Sequence, residues 1–218
     1  QKQKRKSEMK ALQAQINPHF LYNTLDSIIW MSEAGENDQV VLMTSALAKL
    51  LRQSISNDRE QITVAEEIDY VRSYLTIQKM RYKDKLEYTI DVEERILDVR
   101  IIKFVLQPLV ENAIYHGLKY KETKGNLDIR GYRRGNRVCL VVADDGAGME
   151  ESELEHILEK KEKKTKSNGV GVYNVQKRLQ LYYGPEYGIS YISRKGEGTV
   201  ATVTIPLDGG KSNEETGR

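Results

Sequence analysis

The chain has 218 residues, enough for one or two domains with a substantial core. Its 34 lysines and arginines nearly balance 32 aspartates and glutamates, so bulk electrostatics point to neither nucleic acid nor a membrane surface as partner. A lone cysteine, Cys139, excludes an intramolecular disulfide and suits the reducing cytosol, and no apolar run approaches the ~20 residues of a membrane span.

The first residues, Gln1 to Lys6, are polar and basic, and no methionine begins them. They read as part of a longer protein, and their charge would suit the cytoplasmic side of a membrane anchor lying upstream. Met9, Leu12, Ile16, His19, Asn23, Asp26 and Trp30 then follow alternating steps of three and four, a coiled-coil seam. Leu21, Leu25, Ile28 and Ile29 widen its apolar face. Pro18 falls inside this helical pattern, directly before His19. An interior proline removes one backbone donor and costs about 3 kcal/mol, so the position calls for a compensating use. Two readings of His19 stand: a packed or solvated structural histidine, or an imidazole presented as a nucleophile.

Gly35-Glu36-Asn37-Asp38 is a turn, and Val40, Met43, Leu47, Leu50 or Leu51, and Ile55 mark a second amphipathic helix. Such a hairpin has a poor core by itself, so two copies pairing into a four-helix bundle are expected, making the chain a homodimer through residues 1–62. Thr63 with Glu66 three positions on is a capping box, opening a connecting helix over 63–83 that bears Ile68, Val71, Tyr74, Leu75 and Gln78.

From Leu86 the apolar period changes to two, a half-buried strand. An apolar helix is predicted from Ile101 to Leu118 with Pro108 inside it. Strands follow near Leu127–Tyr132 and Arg137–Ala143, then a short charged helix from Glu151 to about Lys160, a lysine-rich run through Lys166, and a helix from Val172 to Tyr183. Gly188–Arg194 and Gly198–Pro206 close the domain as strands, and a polar tail over 209–218 is expected to be disordered. Strands and helices mixed without a βαβ rhythm predict an α+β fold, a two-layer sandwich over 84–208.

Three glycine-bearing loops and one asparagine-bearing helix stand out in order. They are Glu111-Asn112-Ala113-Ile114-Tyr115-His116-Gly117, then Asp144-Asp145-Gly146-Ala147-Gly148, then Gly169-Val170-Gly171, then Gly198-Thr199. None is a P-loop or a Rossmann fingerprint. As an ordered set they resemble the N, G1, G2 and G3 boxes of the GHKL (Bergerat) ATP-binding fold. The stretch Asn17-Pro18-His19-Phe20-Leu21-Tyr22-Asn23 is similar to the phospho-acceptor motif of the LytS/YehU- and YesM-like sensor histidine kinases.

The resemblance implies ATP and Mg²⁺ as ligands. Asp144 would accept a hydrogen bond from the adenine amino group, with Gly146 and Gly148 shaping its loop and Thr199 beside it. Asn112 would place an oxygen on Mg²⁺, Gly169 and Gly171 would let backbone approach the phosphates, and His116 and Arg178 are candidate nucleotide contacts. His19 would be the phospho-acceptor. Asn23, one helical turn later, would orient its ring.

Two residues depart from related patterns. Pro108 stands where ATPases of this fold place the glutamate that activates water, which favours transfer to another nucleophile. Phe20 stands where commoner histidine kinases place an acidic residue. The implied protein is the cytoplasmic catalytic region of a membrane-anchored two-component sensor that autophosphorylates and then phosphorylates a response-regulator receiver domain. A GHKL serine kinase and a non-enzymatic ATP-gated module are the alternatives.

Overall fold

The computed structural model describes residues 18–55, 59–119, 121–157 and 170–210. The expected seam residues Met9, Leu12 and Ile16, the turn Asn57-Asp58, the lysine-rich run with Gly169, and residues 211–218 lie outside the described residues.

Helices α1 (Pro18–Glu33) and α2 (Asn37–Ile55) form the hairpin, reversed at Gly35, whose φ of +75° favours glycine. Within the chain its core is completed by a third helix, α3 (Val64–Tyr82). From α1 the buried residues are Phe20, Thr24 and Met31, and from α2 they are Met43, Leu47 and Leu50. The Phe20 ring lies 5.0 Å from that of Tyr74 on α3. Lys49 and Gln53 both reach Asp69, at 2.6 and 3.1 Å, a half-exposed contact worth at most about 1 kcal/mol. The seam face is a different one. Tyr22, Leu25, Ile29, Trp30, Val41 and Leu42 stay exposed.

Thr63 caps α3 in full: its hydroxyl accepts from the Glu66 N–H, and the Glu66 carboxylate accepts from the Thr63 N–H at 2.8 Å. Thr63→Ala is expected to lower the unfolding free energy by about 1 kcal/mol, and Thr63→Ser to restore most of it. Urea denaturation of the three proteins checks this.

The predicted helix from Ile101 to Leu118 is wrong in its first half. Strand β1 (Gln61–Thr63) pairs antiparallel with β3 (Arg100–Ile102), so Ile101 and Ile102 are strand residues. A bend follows, and only then α4 (Gln107–Asn112), with Pro108 in its first turn, where a missing N–H costs nothing. From Ala113 to Leu118 the helix widens into a π turn, closed by Lys119 N–H to the Ile114 carbonyl at 2.9 Å.

The main sheet has the order β2-β4-β5-β7-β6. Its strands are β2 (Leu86–Val92), β4 (Gly125–Arg134), β5 (Arg137–Asp144), β6 (Gly188–Arg194) and β7 (Gly198–Pro206). Only β2 and β4 are parallel, and the crossover between them holds β3, α4 and the π turn. Leu127, Ile129, Val138, Leu140, Val142, Val203 and Ile205 face the helices α3, α4 and α6 (Val170–Tyr183) in one continuous core. The two layers are the expected α+β sandwich. Of the charged helix, α5 (Glu151–His156) is described. Gly209, assigned to the tail, is instead buried and accepts a 2.7 Å bond from the Gln61 side chain.

Candidate functional site

Three distant stretches meet at the end of β5, and glycine is what lets them touch. Asp144 closes the strand, between Leu127 on β4 and Thr199 on β7. A Cβ added to Gly117, in the π turn, would stand 2.5 Å from the Asp144 Oδ1. One added to Gly146 would stand 2.1 Å from the Gly117 carbonyl oxygen, and one added to Gly198 2.0 Å from the Asp144 carbonyl oxygen. Real Cβ contacts are never so short, so Gly146 and Gly198, which face backbone, require glycine, and a side chain at Gly117 would displace the Asp144 carboxylate. The Ala147 N–H donates to the Gly117 carbonyl at 3.0 Å, and Gly196 N–H to the Ala147 carbonyl at 2.7 Å. The loop 144–148 is therefore stitched to the π turn on one side and to the β6–β7 hairpin on the other. Asp145 fixes its base, accepting from Asn126 N–H at 2.8 Å and from Lys121 at 2.6 Å.

The Asp144 carboxylate accepts from the Gly146 N–H at 2.9 Å. Burial pushes its pKa up to about 6, an effect that hydrogen bonds from the backbone of Gly146 and Thr199 partly counter. Beside it, the Ser193 hydroxyl donates to the Gly198 carbonyl at 2.9 Å and lies 2.8 Å from the Thr199 hydroxyl. Ser193 has only one proton to give, so the Thr199 proton is spent on Ser193. Thr199 then offers a ligand only lone pairs. Asp144 and Thr199 together form an acceptor pair suited to an N–H edge.

Asn112 is half-buried at the last turn of α4, and its side chain has no hydrogen-bond partner among the described residues. Its amide oxygen is free to meet a cation. His116 lies on the outer side of the π turn, where partial desolvation and the Lys119 ammonium hold its imidazole below the ordinary value. Glu111 faces the other way: it accepts from Gln107 at 2.8 Å, and burial raises its pKa. Gly171 lies in the first turn of α6, and a Cβ there would meet only Pro108, at an ordinary 3.5 Å.

Arg178 is not a phosphate contact. It is 1% exposed, and its guanidinium donates to the carbonyls of Lys103 and Phe104. Its place on the helix after the glycine loop suggested phosphate, but that face of α6 is packed inward.

His19 belongs to another part of the fold. It is exposed on α1, and the Asn23 amide nitrogen lies 3.1 and 3.2 Å from its two ring nitrogens. Phe20, the neighbour where an acid was expected, is 3% exposed and anchors α1 to α3. Gly117, Ser193 and Asn126 also build the site, with contacts that no sequence motif announces. Gly117 carried a signal of its own, a glycine at the end of a helix, but nothing local marked the other two.

Two family models match the chain. One, described as "Histidine kinase", covers residues 7–86. The other, described as "Histidine kinase-, DNA gyrase B-, and HSP90-like ATPase", covers residues 97–209. The sensor histidine kinase YesM of Bacillus subtilis is 39% identical over 93% of this chain and 34% of its own length. The sensor histidine kinase BtsS of Escherichia coli is 32% identical over 92% of this chain and 33% of its own length. The chain thus spans about a third of the length of these relatives. Among solved structures, the histidine kinase domain of the blue-light activated kinase EL346 from Erythrobacter litoralis shares the fold. Its TM-score is 0.53, with 94% of both chains covered and 15% identity.

Proposed function

The chain belongs to the sensor histidine kinases of the YesM and LytS kind, with a GHKL ATP-binding domain, and from that premise we propose that it phosphorylates its own His19 from Mg·ATP. The phosphoryl group would then pass to an aspartate of a response-regulator receiver domain. The observation that supports this most is the coexistence, in one chain, of the acceptor pair Asp144–Thr199 in its glycine-lined loop and an exposed imidazole held by Asn23.

ATP enters as substrate. Asp144 and Thr199 accept from the adenine amino group, and the first turn of α6, with Gly171, turns free N–H groups toward the phosphates. Among the described residues no three acidic, histidine or cysteine side chains converge. Mg²⁺ would therefore rest on the Asn112 oxygen, with phosphate and water completing its shell. When bound, it neutralises charge developing on the phosphate oxygens.

The lone pair of one His19 ring nitrogen forms the N–P bond as the bond from the γ-phosphorus to the bridging oxygen breaks, and ADP leaves with that electron pair. The proton on the other ring nitrogen is then released. With its amide flipped, Asn23 would accept from that protonated nitrogen and so orient the ring. Water is a poor competitor, because Pro108 replaces the usual base and the Glu111 carboxyl is partly buried and bonded to Gln107.

The exposed apolar face of Tyr22, Ile29, Trp30, Val41 and Leu42 is where a second copy would complete the bundle. Among the described residues no helix is long and apolar enough to cross a membrane. This region would lie on the cytoplasmic side of a membrane-anchored sensor, a reading that the relatives' sensor names and their greater length support.

Incubation with γ-labelled ATP and Mg²⁺ tests the reading. An acid-labile, alkali-stable label is expected. An acid-stable label would indicate a serine kinase, and nucleotide binding without label a non-enzymatic module; either sinks the proposal.

A further inference from the structure

Glu67 is fully buried on α3, yet among the described residues no side chain hydrogen-bonds to it. Its two oxygens accept from three consecutive backbone N–H groups of the bend before α4: Phe104 at 2.9 Å, Val105 at 2.7 Å and Leu106 at 2.8 Å. From the opposite side Arg178 of α6 donates to the carbonyls of Lys103 and Phe104. The bend's peptide dipoles are thus held between a buried carboxylate at their N–H ends and a buried guanidinium at their carbonyl ends. Phe104 is forced to a φ of +56°, a conformation that a bulky residue adopts only when its surroundings impose it.

What this clasp joins is specific. The bend runs directly into α4, which ends at Asn112, and Arg178 lies on α6, whose first turn contains Gly171. Glu67 lies on the helix that seats the hairpin through the Phe20–Tyr74 contact. The three elements meet around the bend and the apolar core beside it, where α4 packs directly against both α3 and α6. A buried ionic network of this kind contributes little net stability against an apolar replacement, whereas it fixes one arrangement among several.

We propose that Glu67 is a positioning residue: its carboxylate transmits the state of the nucleotide site, through the 103–106 bend, to the helices that hold His19. This rests on the reading of the Asn112–Asp144 region as the nucleotide site.

The experiment uses the whole chain and Glu67→Gln, which keeps the shape and removes the charge. Three quantities are measured: ADP affinity with Mg²⁺, ADP-dependent hydrogen-exchange protection of residues 64–82, and autophosphorylation rate. In the unsubstituted chain ADP is expected to slow exchange in 64–82. Glu67→Gln should bind ADP within about threefold, lose that protection, and autophosphorylate at least tenfold more slowly. Arg178→Lys, which keeps the charge but can reach fewer carbonyls, should show the same uncoupling in weaker form; it decides the matter if Glu67→Gln does not fold.

Protection that persists in the variants overturns the proposal. So does ADP affinity that falls in step with transfer, or the absence of protection in the unsubstituted chain. A chain that shows Glu67-dependent protection but never labels His19 would sink the phosphotransfer reading and leave the coupling standing.

Discussion

Replacing His19 by glutamine is expected to remove all acid-labile label from the chain while leaving nucleotide affinity and stability unchanged. The expectation follows from where the residue sits. His19 is exposed, and the inward side of α1 is built from Phe20, Thr24 and Met31, so the substitution opens no cavity. An exposed helical change of this kind shifts stability by less than about 0.5 kcal/mol. Glutamine still meets Asn23 but offers no ring nitrogen, so transfer should fall to background. Asn23→Ala asks a smaller question. If the amide only orients the ring, one hydrogen bond of about 1 kcal/mol is at stake, or about a fivefold loss in rate. Label per chain at a fixed time, beside a nucleotide titration of each variant, checks both. Label that survives His19→Gln would move the acceptor elsewhere and end the argument from Pro18-His19.

Phe20 shows why the acceptor motif was only half legible. In the sequence it reads as a missing acid beside the nucleophile. In the fold it is the residue that anchors α1 to Tyr74, a role that depends on a helix some fifty residues later. Elements with one clear period were legible without such help. Met43, Leu47 and Leu50 marked α2, and the pair Thr63 and Glu66 marked the start of α3.

The run from Ile101 to Leu106 was not legible, because a short stretch apolar at every position but Lys103 has no period to separate strand from helix. Its state is decided by β1 pairing with it from a distance. Glu66 and Glu67 make the same point at one residue's resolution. They are chemically identical neighbours, one capping a helix at the surface and the other fully buried against three amides. Only the approach of the 103–106 bend tells them apart. At the site, the glycine order around Asp144 was visible, but the reason for Gly117 was not: it packs on a carboxylate from another strand.

Asp144→Asn tests the nucleotide site with a change of one atom. In the structure Oδ1 of the carboxylate is committed to the Gly146 N–H and the Thr199 backbone also donates to the group, so the ligand meets the acceptor capacity that remains. Asparagine must keep its oxygen for that backbone donor, so it turns an NH₂ group toward the adenine amino group. Two donors then face each other. Losing a charge-assisted hydrogen bond costs about 1.5–3 kcal/mol, which is about tenfold to a hundredfold in ATP affinity.

The pH dependence supplies an independent check. Burial holds the unliganded carboxyl at about 6, and its ionised form is much the stronger acceptor for adenine, so binding favours ionisation. Affinity should be full above about pH 7 and weaken as the pH falls through 6, by at most tenfold per unit. On the stability of the unliganded chain the sign is opposite. The folded pKa lies above the ordinary 3.8, so this group's contribution is complete below about 4 and is lost as the pH rises through 6.

Titrating a fluorescent ATP analogue between about pH 5 and 8 into both proteins separates the carboxyl from the ionisation of the phosphates. The phosphates titrate alike in both, so the ratio of the two affinities isolates residue 144. That ratio should collapse toward one at low pH, where a protonated Asp144 becomes a donor like asparagine. A ratio that stays flat, or an affinity that Asp144→Asn leaves intact, would mean that adenine is read somewhere other than the end of β5.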